Sequence, residues 1–156
     1  MDIQRVSRPE QHYLYVERTA TYEGSSIAEA MGSGFGEVTG FAKQYGIECL
    51  SMPCSIYVEM PGPTGMAFRA AIFVTAEDAA KAEGDIKAGS IAAGEAYTAT
   101  HRGSYASMDQ SHNAVWERMD SDGVTKSMPI WEIYADDPTL VPEAECRTEV
   151  FRAVGS

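Results

Sequence analysis

The segment "PIWEIYADDP", from Pro129 to Pro138, sets one acid inside a run of aromatic and branched side chains. Such residues favour a strand, and in a strand alternate side chains share a face. Ile130, Glu132 and Tyr134 therefore fall on one face, with Trp131 and Ile133 on the other. Two environments fit this Glu132. It either meets water on the wet side of an antiparallel sheet, or it lines a cleft. In a cleft an unpaired carboxylate is so unfavourable that its presence tends to mark function. An acid walled by aromatic rings is a receptor for a flat or cationic organic molecule.

The candidate rings are Tyr134, Tyr57, Tyr105 and Trp116. All four are also of the kind that fills cores and interfaces. Tyr134 shares the face of Glu132, whereas Trp116 stands just off an apolar helix stripe. The three histidines (His12, His101, His112) and three cysteines (Cys49, Cys54, Cys146) match no zinc or disulfide spacing, so no metal and no cofactor is expected. His101 is expected to hydrogen-bond at the turn into a helix, and His112 to be a satisfied core or cleft-edge residue. No nucleophile elbow is present. The run "GSGFGE" lacks the glycine spacing and the lysine of a phosphate-binding loop.

The net charge of −11 argues against nucleic acid as a partner, because phosphate contacts need clustered Lys and Arg. No long uninterrupted apolar window suggests a membrane span, and "MDIQRVSRPEQHYLY" has no secretory h-region. The expected location is the cytoplasm.

The elements that must position Glu132 are written twice. "TATYEGS" (Thr19 to Ser25) returns as "TATHRGS" (Thr98 to Ser104), "SIYVEMP" parallels "EIYADDP", and "RAAIF" parallels "RTEVF". The pairs Thr19/Thr98, Tyr57/Tyr134 and Phe73/Phe151 lie 79, 77 and 78 residues apart, which describes a tandem duplication over residues 13–75 and 94–154. Each copy reads as strand–helix–strand–strand, its last two strands joined by a Pro- or Gly-bearing turn.

In the first helix the apolar stripe is Ile27, Met31, Phe35, Val38, Phe41 and Tyr45, with Ser26 and Glu29 as a capping box and Gly46 as the stop. Gly32, Gly34 and Gly36 weaken that helix and offer close backbone packing. In the second, Tyr105, Met108, His112, Val115 and Met119 form the stripe between a Ser104 cap and Gly123. The Ala- and Gly-rich stretch between the copies reads as a linker with a short helical turn. The expected fold is α+β over residues 1–156 as one domain. An antiparallel sheet carries two main helices, and the units meet about a pseudo-twofold axis along a groove.

The second half resembles the GyrI-like small-molecule-binding family, also the effector-binding half of multidrug-sensing regulators. The residues that carry the likeness are Gly94, His101, Gly103, Tyr105, Glu132, Tyr134, Asp137, Pro138, Thr148 and Glu149, in that order. The resemblance implies two such units side by side and identifies Glu132 as the family's central carboxylate. Only about a dozen residues precede the first strand, too few for a helix-turn-helix, so a stand-alone member is expected. Three functions follow from the family. One is binding of a hydrophobic or cationic ligand around Glu132, for which the candidate rings Tyr134, Tyr57, Tyr105 and Trp116 would be the walls. Another is hydrolysis of cyclopropane-bearing genotoxins with Glu132 as general base. The last is a gyrase-inhibitor-like protein contact through the acidic surface.

Overall fold

The computed structural model of the chain describes residues 1–137 and 139–155, so Pro138 of the Asp-Pro turn lies outside the described residues. Its strands are β1 (Ile3–Arg8), β2 (Gln11–Thr21), β3 (Cys54–Tyr57), β4 (Gly65–Val74), β5 (Lys87–Ile91), β6 (Gly94–Arg102), β7 (Lys126–Tyr134) and β8 (Arg147–Val154). The helices are α1 (Gly24–Gln44), the single turn α2 (Ala76–Ala79) and α3 (Met108–Asp122). The architecture is α+β, and the strand pairs are antiparallel.

Two compact units form: Glu10–Ala92, and Met1–Pro9 together with Ala93–Ser156. In the first the strand order is β3-β4-β2-β5, and in the second β1-β6-β8-β7. Both contain the strand–helix–strand–strand run expected from the repeated sequence, and in both the last two strands are antiparallel neighbours.

Two outer strands differ from the sequence reading. The residues before the first copy form β1, which pairs with β6 from Ile3↔Ala99 to Arg8↔Gly94. The stretch read as a linker contains β5, which pairs with β2. Neither "IQRVSR" nor "KAGSI" alternates strongly, because an outer strand with one neighbour need not bury a full apolar face. Gly89 of β5 shows what replaced that signal. The Tyr13 ring lies across it, so a Cβ there would sit 2.5 Å from Tyr13 Cζ.

The first helix also starts differently. Glu23 is the N-cap and makes no side-chain cap bond, while the Ser26 hydroxyl accepts from the Thr21 backbone N–H instead of capping. Gly46 ends the helix with φ of 64°, and Gly123 ends α3 with φ of 71°. Both stops match expectation, since these left-handed conformations favour glycine.

The buried line of α1 is Ala30, Gly34, Val38 and Ala42, one step aside from the stripe of larger residues. Small side chains let the helix axis approach the sheet, and Met31, Phe35 and Phe41 flank the contact half-buried. A Cβ on Gly34 would lie 2.6 Å from Ala70 Cβ, whereas Gly32 and Gly36 face open space. Only one of the three glycines is there for close packing. Gly36→Ala should therefore raise stability by about 0.5–1 kcal/mol through helix propensity, and Gly34→Ala should lower it by about 1–3 kcal/mol through overpacking. Urea unfolding of the two variants checks this; a gain in both would contradict the packing.

Candidate functional site

The unit containing β6, β7 and β8 presents one sheet face to α3. Register fixes its membership: Ile130, Glu132 and Tyr134 stand opposite Arg152, Val150 and Thr148 on β8. These in turn stand opposite Tyr97, Ala99 and His101 on β6. The other face stacks Trp131 flat on Phe151, with ring centroids 4.9 Å apart and planes 3° from parallel, and the Arg8 guanidinium lies over Trp131. Strand alternation thus sorts Glu132 and Trp131 as the sequence suggested.

Side-chain contacts spaced along its length seat α3 on this sheet. At one end the Tyr97 hydroxyl donates to Asp122 Oδ2 at 2.6 Å. At the other, His101 Nε2 lies 2.8 Å from the Ser104 carbonyl, which can only accept, so this nitrogen carries the proton. Nδ1 of the same ring lies 2.6 Å from the Ser111 hydroxyl, a group able to donate or accept. This is the structural role expected of His101. Between these ends, Trp116 lies over the Arg152 guanidinium, 5.0 Å from its ring centroid, and His112 reaches Glu132. Arg152 Nε donates to the Ser127 carbonyl at 2.8 Å, and burial lowers the affinity of its guanidinium for a proton.

Glu132 is the centre of the cluster. It is 6 % exposed, yet both carboxylate oxygens accept hydrogen bonds. Oε1 accepts from the Tyr134 hydroxyl at 2.8 Å, and Oε2 from His112 Nε2 at 2.7 Å. A buried carboxyl group needs hydrogen bonds in place of its lost water, and here a phenol and an imidazole supply them. The Tyr105 ring sits 5.4 Å from Tyr134, and the His112 ring 6.0 Å from Trp116. Burial pushes the Tyr105 phenol up, with the neighbouring Cys146 and Glu132 adding to it, so it remains a neutral donor near pH 7.

The site residues expected from sequence fall into two groups. Glu132, Tyr134, Tyr105 and Trp116 gather in one unit around one carboxylate. Tyr105 does so from a 3-10 turn, Tyr105–Ser107, with Ser104 accepting from the Ala106 N–H as its cap, so the ring lies ahead of α3 and is 38 % exposed. Tyr57 closes β3 in the other unit, where it is buried and its ring lies 6.2 Å from Phe68. His112 and Arg152 were not picked out as site residues. The signal for His112 was its position one turn before Trp116 on the stripe of α3. Nothing in the sequence joined Arg152 to Trp116. The indole N–H of Trp116 is buried without an acceptor among the described residues.

A cavity of about 840 Å³ in the same unit lies elsewhere, lined by Asp2, Thr98, His101, Arg102, Ser111 and Glu149 among others, and includes no member of the Glu132 cluster. Its walls are polar surface beyond the end of β1, where β6 continues without that neighbour. Among the described residues no three metal-ligating side chains gather, and no helix is long and apolar enough to cross a membrane.

A family model described as the GyrI-like small molecule binding domain matches residues 1–154. The chain belongs to that family. No protein of curated function matches the chain at a significant level. Among solved structures, this GyrI-like chain is similar to the EcmrR C-terminal domain, with 19% identity and a TM-score of 0.78, covering 99% of this chain and 98% of that one. In an EcmrR–DNA complex the match covers 57% of the EcmrR chain. A hydrolase from Listeria innocua matches at 15% identity and TM-score 0.67, covering 98% and 91% of the two chains. SAV2435 bound to tetraphenylphosphonium matches at 16% identity and TM-score 0.63, covering 100% and 95%. These likenesses show the fold.

Within this GyrI-like unit the Tyr134 hydroxyl is one of the groups that make burial of Glu132 tolerable. Tyr134→Phe should lower stability by about 1–2 kcal/mol, the penalty for withdrawing a donor from a buried carboxylate. Denaturant unfolding at pH 7 measures it, and a loss of only a few tenths would show that the hydrogen bond does not sustain the charge.

Proposed function

We propose that the chain is a cytoplasmic receptor for a small hydrophobic cation, held by charge at Glu132 and by aromatic contact with Tyr134, Tyr105 and Trp116. The observation that carries this reading is the buried carboxylate hydrogen-bonded within an aromatic cluster. A cation brought against it recovers Coulomb energy in a poorly screened setting, and the faces of Tyr134 and Tyr105 add cation–π attraction. The family's small-molecule binding supports it. So does the tetraphenylphosphonium bound to SAV2435, a lipophilic cation of this description.

Tetraphenylphosphonium and the neutral, similarly shaped triphenylphosphine oxide separate charge from shape. Glu132→Gln should weaken the cation by about 10–100-fold and the neutral probe by far less, because the substitution removes charge and keeps volume. Calorimetric titration reads both constants. Equal loss for the two probes would mean that Glu132 acts by shape.

A second reading, hydrolysis, draws on the pairing of Glu132 with Tyr134. A carboxylate beside a phenol can take a proton from water while the phenol hydrogen-bonds a substrate carbonyl. Incubation with a cyclopropane fused to a conjugated ketone distinguishes the two. Turnover that falls about a hundredfold or more in Glu132→Gln would establish the enzyme; stoichiometric binding without product is the outcome the receptor reading expects.

A further inference from the structure

The His112–Glu132 contact has a consequence for selectivity. His112 Nε2 stands 2.7 Å from the carboxylate oxygen Oε2, and the imidazole is the more exposed partner, at 12% against 8% for the Glu132 side chain. A ligand approaching Oε2 therefore meets the imidazole beside it. Imidazole is also the side chain whose charge ordinarily changes between pH 5 and 8.

The other charged and titratable groups around this ring come from every neighbouring element. Glu132 and Tyr134 are on β7, Arg152 on β8 lies over Trp116, and His101 on β6 is bonded to Ser111. Tyr105 reaches in from the 3-10 turn, and Asp109 lies one turn earlier on α3 itself. Arg152 keeps its charge and the phenols stay neutral across this range. His101 has both nitrogens engaged, by the Ser104 carbonyl and the Ser111 hydroxyl.

We propose that His112 is the specificity-determining residue of the Glu132 site: a neutral imidazole leaves the pair with a net negative charge that admits a cation, and an imidazolium cancels that charge and favours neutral ligands. The inference rests on the receptor reading above and adds a rule for which ligands the site accepts and when. It needs no movement of the fold, only one proton on Nδ1 of a ring whose Nε2 already donates to the carboxylate. Cation and proton then compete for the same negative charge, so each weakens the other's binding equally.

The test is the pH dependence of tetraphenylphosphonium affinity, since this probe carries a permanent charge. Between pH 8 and pH 5 its affinity should fall on the order of tenfold or more, as expected for losing one net charge a few ångströms from the ligand. Triphenylphosphine oxide should show a flat profile, and His112→Gln should flatten that of the cation. Should this variant fail to fold, the wild type still answers. At pH 6 cation binding must release a proton, read from binding enthalpies in buffers of different ionisation heat. A profile that stays steep in His112→Gln, or cation binding at pH 6 without proton release, overturns the role of His112 and leaves the receptor reading standing. Failure of both probes to bind at any pH contradicts the receptor reading itself, and this rule with it.

Discussion

An ionised carboxylate held away from water needs donors at fixed positions, and the unit around Glu132 is arranged to supply them. Removing a carboxylate from water is unfavourable by several kcal/mol unless hydrogen bonds take its place. Tyr134 can provide one only because it lies two residues along the same strand, on the same face. His112 can provide another only if α3 is held at one height and one rotation over the sheet. The position of the helix and the state of the acid are thus one problem.

The remaining contacts across the α3 interface answer that problem. Tyr97 to Asp122, Arg152 to Trp116 and His101 to Ser111 place polar or charged anchors along the helix, while Met108, Val115 and Met119 supply the apolar contact. Apolar burial alone is non-directional and would tolerate a helix slid or rotated by a fraction of a turn. Hydrogen bonds with narrow geometry at separate heights do not. The stacking of Arg152 on Trp116 has a second effect, keeping a fixed positive charge near the aromatic wall.

Much of this was legible in the sequence because strand parity is unforgiving. A period of two leaves no freedom in which residues share the face of Glu132, so Tyr134 followed at once, and His101 followed from its place at a strand end before Gly103. Helix stops at Gly46 and Gly123 were legible for the same kind of reason: a left-handed residue is nearly always glycine. The outer strands β1 and β5 were not, because pairing on one side relaxes the alternation by which a strand is recognised. The buried line of α1 was hidden because its close approach is made by Ala30, Gly34 and Ala42, which carry little hydrophobic signal. His112 was hidden differently. Its helix position was read correctly, but a contact to Glu132, twenty residues away, depends on tertiary register that local periodicity does not contain.

Whether the proposed ligand seat is Glu132 and its rings is decided by where a ligand binds. The most direct measurement is a crystal structure of the chain grown with tetraphenylphosphonium. The phosphonium is expected within about 6 Å of the Tyr134 or Tyr105 ring centre, the range of cation–π contact, with the Glu132 carboxylate as its nearest acid. A phosphonium seated instead in the polar cavity beside His101 and Arg102, with the Glu132 cluster unchanged, would contradict it.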